Sequence, residues 1–307
     1  MLRVILHYPG PEEQQWLSDL RQYLPGARVQ LWATGLPPAD YAVVWAPPQQ
    51  LIDEQSGLKA VFNLGAGVDR LLQCALPPSL KLLRLEDAGM ATQMAEYVCH
   101  ALVREFRDFG DYQQQASRTQ WAQRVPRVRD DFVVGIMGLG LLGGSVARAV
   151  RAFGFPVRGW SRSPHAIDGV VCFSGRDALA EFLAATRFLV CLLPLTDETQ
   201  NLLCRATLSL LPRGASLVNL ARGHLLVDED LIALLDSGHL SAATLDVFRS
   251  EPLPETHPFW SHPKVSVTPH IAAQTLRHES LAQIAEKIRL LESGQPVSGI
   301  VDRKRGY

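Results

Sequence analysis

The sequence lacks long apolar runs. Hydrophobic residues make up 47% of the 307, yet no stretch approaches the roughly 20 apolar residues that a helix needs to cross a bilayer. It also has almost no net charge. Lys and Arg number 30 against 31 Asp and Glu, a formal balance of -1, so no electrostatic footprint for nucleic acid or an anionic membrane is present. The five cysteines (Cys74, Cys99, Cys172, Cys191 and Cys204) are scattered and form no C-x-x-C pair. The odd count argues against a disulfide scaffold, and the scatter offers no zinc-ligand spacing. The opening MLRVILHYPG reads as a first β-strand and not as an export signal, so a reducing cytoplasm is expected. No tyrosine has lysine four residues later, which removes the Tyr-x-x-x-Lys class of oxidoreductases. Low-complexity segments and short-period repeats are absent as well.

What is present is alternation. Short β-branched or apolar runs fall at 2–7, 41–46, 58–64, 81–85, 132–137, 157–160, 188–193, 215–220, 242–247 and 265–268. Helical patterns lie between many of them, among them 12–24, 141–153, 228–237 and 274–292. This alternation predicts an α/β chain of parallel sheets covered by helices on both faces. Met94, Val98, Leu102 and Phe106 recur on one face of a long helix expected over 90–115, read as a bridge between two domains. A polar stretch over 113–131 follows it as a linker or arm, and the helix over 274–292 is expected to return to the first domain. The closing Asp302-Arg303-Lys304-Arg305 reads as a solvated charged end.

The strand at 132–137 runs directly into Gly138-Leu139-Gly140-Leu141-Leu142-Gly143 and then a helix. G-x-G-x-x-G between a strand and a helix start is the context that dinucleotide binding requires. Gly138 permits the tight turn, Gly140 lets the backbone approach a pyrophosphate, and Gly143 lets helix and strand pack closely. The free N–H groups of the helix start, at Leu141 and Leu142, then face the phosphates. An NAD-selective site carries an acidic residue at the end of the next strand. Here Val157-Arg158-Gly159-Trp160 ends in Ser161-Arg162-Ser163, with no carboxylate. Arg162 suits a 2′-phosphate and Ser161 or Ser163 a neutral hydrogen bond to it, so NADP(H) is the preferred cofactor, with NAD(H) possible.

Three later segments are Val218-Asn219-Leu220-Ala221-Arg222-Gly223, Leu245-Asp246-Val247-Phe248-x-x-Glu251-Pro252-Leu253, and Thr268-Pro269-His270-Ile271-Ala272-Ala273. In order and spacing the chain resembles the D-isomer-specific 2-hydroxyacid dehydrogenases over nearly its whole length. Val44-Trp45-Ala46-Pro47-Pro48, Asn63-Leu64-Gly65-Ala66-Gly67-Val68-Asp69, Arg84-Leu85-Glu86-Asp87-x-Gly89-Met90 and Trp160-Ser161-Arg162-Ser163 make it most similar to the family's bacterial glyoxylate/hydroxypyruvate reductase A branch.

The chemistry of keto-acid reduction gives the motif residues their roles. Hydride addition puts negative charge on the carbonyl oxygen, so a proton donor and a carboxylate-binding cation are required. Arg222 has the planar fork for a carboxylate. His270 is the natural acid near neutral pH, and Glu251 beside it favours imidazolium and orients the ring. The resemblance implies that Asp246 contacts the nicotinamide end and that backbone N–H groups of the Gly65–Val68 loop, at Ala66 and Gly67, hold the substrate carboxylate. Leu220 and Ala221 are expected to line the cofactor region through their backbone, and Trp45 to cap the substrate pocket or else to fill a core.

The resemblance also implies two Rossmann-like doubly wound parallel-sheet domains, formate/glycerate dehydrogenase-like. These are a discontinuous substrate domain, 1–95 plus 275–307, and an NAD(P)-binding domain, 96–274. The expected reaction is NADPH-dependent reduction of glyoxylate to glycolate or hydroxypyruvate to D-glycerate. Larger 2-keto acids stay open, as does a nucleotide-sensing, corepressor-like role known among such relatives. The expected assembly is a homodimer, with the 113–131 arm and its Trp121 reaching toward the partner.

Overall fold

The computed structural model describes residues 1–307 and divides them into two compact units, Met1–Gly89 with Thr275–Tyr307, and Met90–Gln274. The first unit is a five-stranded sheet of β1 (Arg3–His7), β2 (Arg28–Leu31), β3 (Tyr41–Val44), β4 (Ala60–Asn63) and β5 (Lys81–Leu83). All pairs are parallel and the order is β2-β1-β3-β4-β5, the flavodoxin-like arrangement. The central strands β3 and β4 are buried along their whole length, as strands covered on both faces must be. The helix Arg277–Glu292 packs against Glu13–Tyr23, where Arg277 grips Asp19 at 2.6 Å and Glu12 at 2.8 Å. Beyond it the chain end is not a solvated tail. Val301 N–H donates to the Leu82 carbonyl at 2.9 Å, and the Arg303 guanidinium donates to the carbonyls of Leu76, Pro77 and Leu80.

The second unit is a seven-stranded parallel sheet of β6 (Val134–Met137), β7 (Val157–Ser161), β8 (Val170–Ser174), β9 (Phe188–Cys191), β10 (Ala215–Asn219), β11 (Leu240–Leu245) and β12 (Val265–Val267). Its order is β12-β11-β10-β9-β6-β7-β8, the doubly wound order that reverses between the first and fourth strands. Alternate residues feed two cores. Val134, Ile136, Val190 and Val218 face one, and Met137, Leu189, Cys191 and Leu217 face the other. No helix is long and apolar enough to cross a membrane.

Two elements differ from their sequence expectation. The long helix is two, Met90–Phe106 and Phe109–Ser117, broken where Asp108 takes φ 54°. The Asp108 carboxylate there receives Arg127 at 2.7 Å. The first of these helices lies entirely in the second unit and not across a boundary at 95/96. Met94 and Ala95 already pack on the core that Val98, Ala101 and Leu102 share with the helix Leu141–Ala152, so the helix cannot be divided between units without exposing that face.

Candidate active site

The functional loops of the second unit leave the carboxyl ends of its strands, where open parallel sheets place ligands. After β6, Gly138 turns at φ +98° and its N–H donates to the Trp160 carbonyl at 2.8 Å. A β-carbon on Gly143 would stand 1.7 Å from the Gly138 carbonyl oxygen, so strand and helix touch there. A β-carbon on Gly140 would meet nothing within 4 Å. Gly140 caps the helix Leu141–Ala152 and offers no side chain to its first N–H groups. Bare backbone, orphan donors at Leu141 and Leu142 and the positive end of a helix together fit a diphosphate.

β7 ends in Ser161, which is buried, while Arg162 and Ser163 are exposed. The Ser161 hydroxyl is engaged within its own turn. It donates to the Ser163 carbonyl at 2.8 Å and lies 3.0 Å from Nδ1 of His165. Ser161 therefore shapes the turn that presents Arg162.

β10 leads into the Arg222 turn. Fully buried Asn219 braces it from both sides, accepting from Ala221 N–H at 3.2 Å and donating to the Arg222 carbonyl at 3.0 Å. Leu220 and Ala221 are buried, and the Arg222 guanidinium donates to the Ala221 carbonyl at 2.7 Å. A β-carbon on Gly223 would fall 1.9 Å from the Phe248 carbonyl carbon. This turn thus lies directly against the loop that carries Glu251.

That loop follows β11. One Glu251 oxygen accepts from Phe248 N–H at 2.9 Å and the other from His270 Nδ1 at 2.9 Å. Burial pushes the Glu251 carboxyl up. The His270 hydrogen bond, the Phe248 N–H and the charges of His270 and Arg222 outweigh it and hold the group below its ordinary value. His270 stands in the left-handed region at φ 55°, and its side chain is 43% exposed.

Asp246, at the end of β11, has no exposed surface. One of its oxygens accepts from Thr268 Oγ1 at 2.6 Å and Ile271 N–H at 2.9 Å, and the other from Ala272 N–H at 2.8 Å. Its carboxylate is thus engaged on the turn around His270.

In the first unit, the loop after β4 is shaped by Asn63. Its amide donates to the carbonyls of Gly65 at 3.1 Å and Gly67 at 2.8 Å, and Leu85 N–H takes Gly65 as well. Trp45 lies over this loop and does not fill the core. A β-carbon on Gly65 would stand 2.8 Å from its ring.

The family model for D-isomer specific 2-hydroxyacid dehydrogenase, NAD binding domain, matches residues 99–272, a span that holds the glycine loop, Arg222, Glu251 and His270. The chain belongs to the D-isomer specific 2-hydroxyacid dehydrogenases. This dehydrogenase is 48% identical to the glyoxylate/hydroxypyruvate reductase A of Serratia proteamaculans and 45% identical to that of Yersinia enterocolitica, over 100% of each chain. Among solved structures it is similar to a D-isomer specific 2-hydroxyacid dehydrogenase from Xanthobacter autotrophicus in complex with NADPH and MES. There the TM-score is 0.94 at 40% identity, covering 99% of both chains. The NADPH-dependent glyoxylate/hydroxypyruvate reductase of Sinorhizobium meliloti, in complex with NADP and sulfate, gives 0.94 at 36% identity and covers 100% of both.

Sequence reasoning did not assign three residues that shape the dehydrogenase's loops. Asn63 and Asn219 stand within the motifs, but an asparagine's bracing role depends on loop geometry that spacing does not carry. His165 lies outside any motif, four residues past Ser161.

Proposed function

We propose that the chain reduces small 2-keto acids with NADPH, taking glyoxylate to glycolate and hydroxypyruvate to D-glycerate. The observation that carries this reading is the His270–Glu251 pair, whose 2.9 Å contact uses Nδ1 and so leaves Nε2 to hold a proton toward a substrate. Bound NADPH supplies the hydride. Arg222 grips the substrate carboxylate and polarises the neighbouring carbonyl. His270 delivers its Nε2 proton to the oxygen as negative charge develops there, and Glu251 steadies the charged ring. The Ala66–Gly67 backbone contributes N–H groups to the carboxylate, a role supported by the Asn63 amide's grip on the carbonyls of Gly65 and Gly67. Trp45, lying over that loop, caps the substrate.

The names of the relatives support the substrate class, and the NADP and NADPH bound to similar structures support the cofactor. The turn after β7 agrees, since it presents Arg162 and no carboxylate. The reading includes a homodimer. The 118–131 segment exposes Trp121 at 95%, Val125 at 88% and Val128 at 61%, an apolar edge of the kind that partner chains cover.

The test is a steady-state panel of 2-keto acids with both reduced cofactors, together with His270→Ala. Glyoxylate and hydroxypyruvate should be turned over with NADPH. The variant should lose about 10²- to 10⁴-fold in kcat with NADPH affinity nearly unchanged. Tight NADPH binding without turnover of any keto acid would make the chain a nucleotide sensor instead. Wild-type kcat in the variant would remove His270 from the chemistry.

A further inference from the structure

Within the second unit, the helix Met90–Phe106 meets the segment around His270 through the Gln93–Gln274 amide bonds and, nearer the imidazole, through a pair of hydroxyls. Tyr97 Oη lies 2.5 Å from Thr268 Oγ1, and both side chains are half-buried. The direction of the bonds follows from their partners. Thr268 donates to Asp246 at 2.6 Å, on the oxygen that also accepts from Ile271 N–H. A threonine hydroxyl has one proton, and it is committed to the carboxylate. The Tyr97 hydroxyl is therefore the donor to Thr268. The chain of bonds runs from Tyr97 to Thr268 to Asp246 and ends on backbone groups just after His270.

Four bonds converge on this turn. Asp246 takes the N–H groups of Ile271 and Ala272 on its side chain, and its carbonyl takes the N–H of His270 at 2.9 Å. The His270 N–H is also shared with the Thr268 carbonyl at 3.1 Å. His270 itself sits at φ 55°, a conformation that a β-carbon disfavours and that persists where surrounding bonds overdetermine it. Burial raises the Tyr97 hydroxyl's pKa above its ordinary value and the Asp246 charge adds to the rise, so the proton it donates stays in place at working pH.

We propose that Tyr97 is a positioning residue for His270, fixing through Thr268 and Asp246 the left-handed turn that presents the imidazole to Glu251 and to substrate. The proposal rests on the reading of His270 as proton donor. Tyr97 does not touch the reacting atoms. Its ring could be replaced by phenylalanine without opening a void, so the hydroxyl alone is at issue.

The experiment compares Tyr97→Phe, Thr268→Val and Thr268→Ser with wild type in the intact enzyme. It measures kcat, KM for NADPH, the melting temperature, and the NMR signal of the His270 ring proton held at Nδ1 by Glu251. Losing one neutral hydrogen bond corresponds to about a 3- to 10-fold effect. Tyr97→Phe is expected to lower kcat by that factor, to leave KM for NADPH within about twofold, and to shift or broaden the ring signal. Thr268→Val should lower kcat at least as far, and Thr268→Ser should restore most of it. The proposal is overturned if Tyr97→Phe leaves both kcat and the ring signal at wild type. It is equally overturned if kcat falls only in step with melting temperature while the signal stays put. If His270→Ala retains activity, the proton-donor reading fails by itself. The ring signal then decides the positioning role alone, supporting it if displaced in Tyr97→Phe and overturning it if not.

Discussion

Glu251 has two oxygens with two different tasks, one on the Phe248 N–H of its own loop and one on the His270 ring. The first fixes the carboxylate in place and the second joins it to the imidazole. The coupling has a sign. The carboxyl is held below its ordinary value despite burial, the His270 hydrogen bond being the largest of the causes that outweigh it. Glu251→Gln keeps the shape and removes the charge that faces the His270 ring across 2.9 Å. In the proposed mechanism reduction draws its proton from His270, and a negative neighbour favours the charged ring. The alkaline limb of kcat/KM against pH should therefore move to lower pH, and a limb that stays or moves up would refute the coupling. Arg222, Glu251 and His270 were legible as residues because each stands in a fixed dipeptide setting within an ordered set of motifs. The contacts of Ser161 were not legible, because a hydroxyl at a strand end can face either way and its direction is set by the Ser163 carbonyl and His165. Tyr97 was legible only as a helix residue, since its partner lies 171 positions away.

At the scale of elements, the proposed preference for NADPH rests on the turn after β7. Arg162 should contribute a charge-assisted contact to a 2′-phosphate, about 1.5–3 kcal/mol, or about ten- to a hundredfold in affinity. Arg162→Ala is thus expected to raise KM for NADPH by that factor and to leave NADH nearly untouched. Equal weakening of both cofactors in steady-state kinetics would assign the arginine to the turn's shape alone. The interior strands were readable from their apolar runs because burial on both faces writes a dense signal. β2 and β8 were not read. Each pairs with a single neighbour at a sheet edge, and β8 has no fully buried residue although its Val170–Phe173 run is apolar. The break at Asp108 was hidden too, because its left-handed backbone is stabilised by Arg127, which lies outside the helix.

For the whole molecule, two measurements bear on assembly and stability. Sedimentation at micromolar concentration should show a dimer of the 33.9 kDa chain, whereas a monomer throughout would refute the partner role of the 118–131 arm. In the first unit, buried Lys287 donates to Glu86 at 3.1 Å and to the Arg84 carbonyl at 3.0 Å. Burial raises the Glu86 carboxyl, but Ser298, Lys287 and Arg84 together hold it below its ordinary 4.5. A depressed carboxyl contributes stability above its unfolded value and loses it as pH falls through the folded one. Glu86→Gln should therefore cost about 1.5–3 kcal/mol at neutral pH. The gap in melting temperature from wild type should close as acid neutralises Glu86 in wild type, and a gap that persists in acid would show that the ion pair is not its source. The first unit is closed only by the helix Arg277–Glu292 and the Arg303 anchor behind it. The ribosome delivers the chain from the other end. The five strands of that unit emerge first, yet they must wait through the synthesis of the entire second unit for the segment that covers them. The dinucleotide-binding half can fold while the chain is still tethered. The half begun earlier is thus completed after the half begun later.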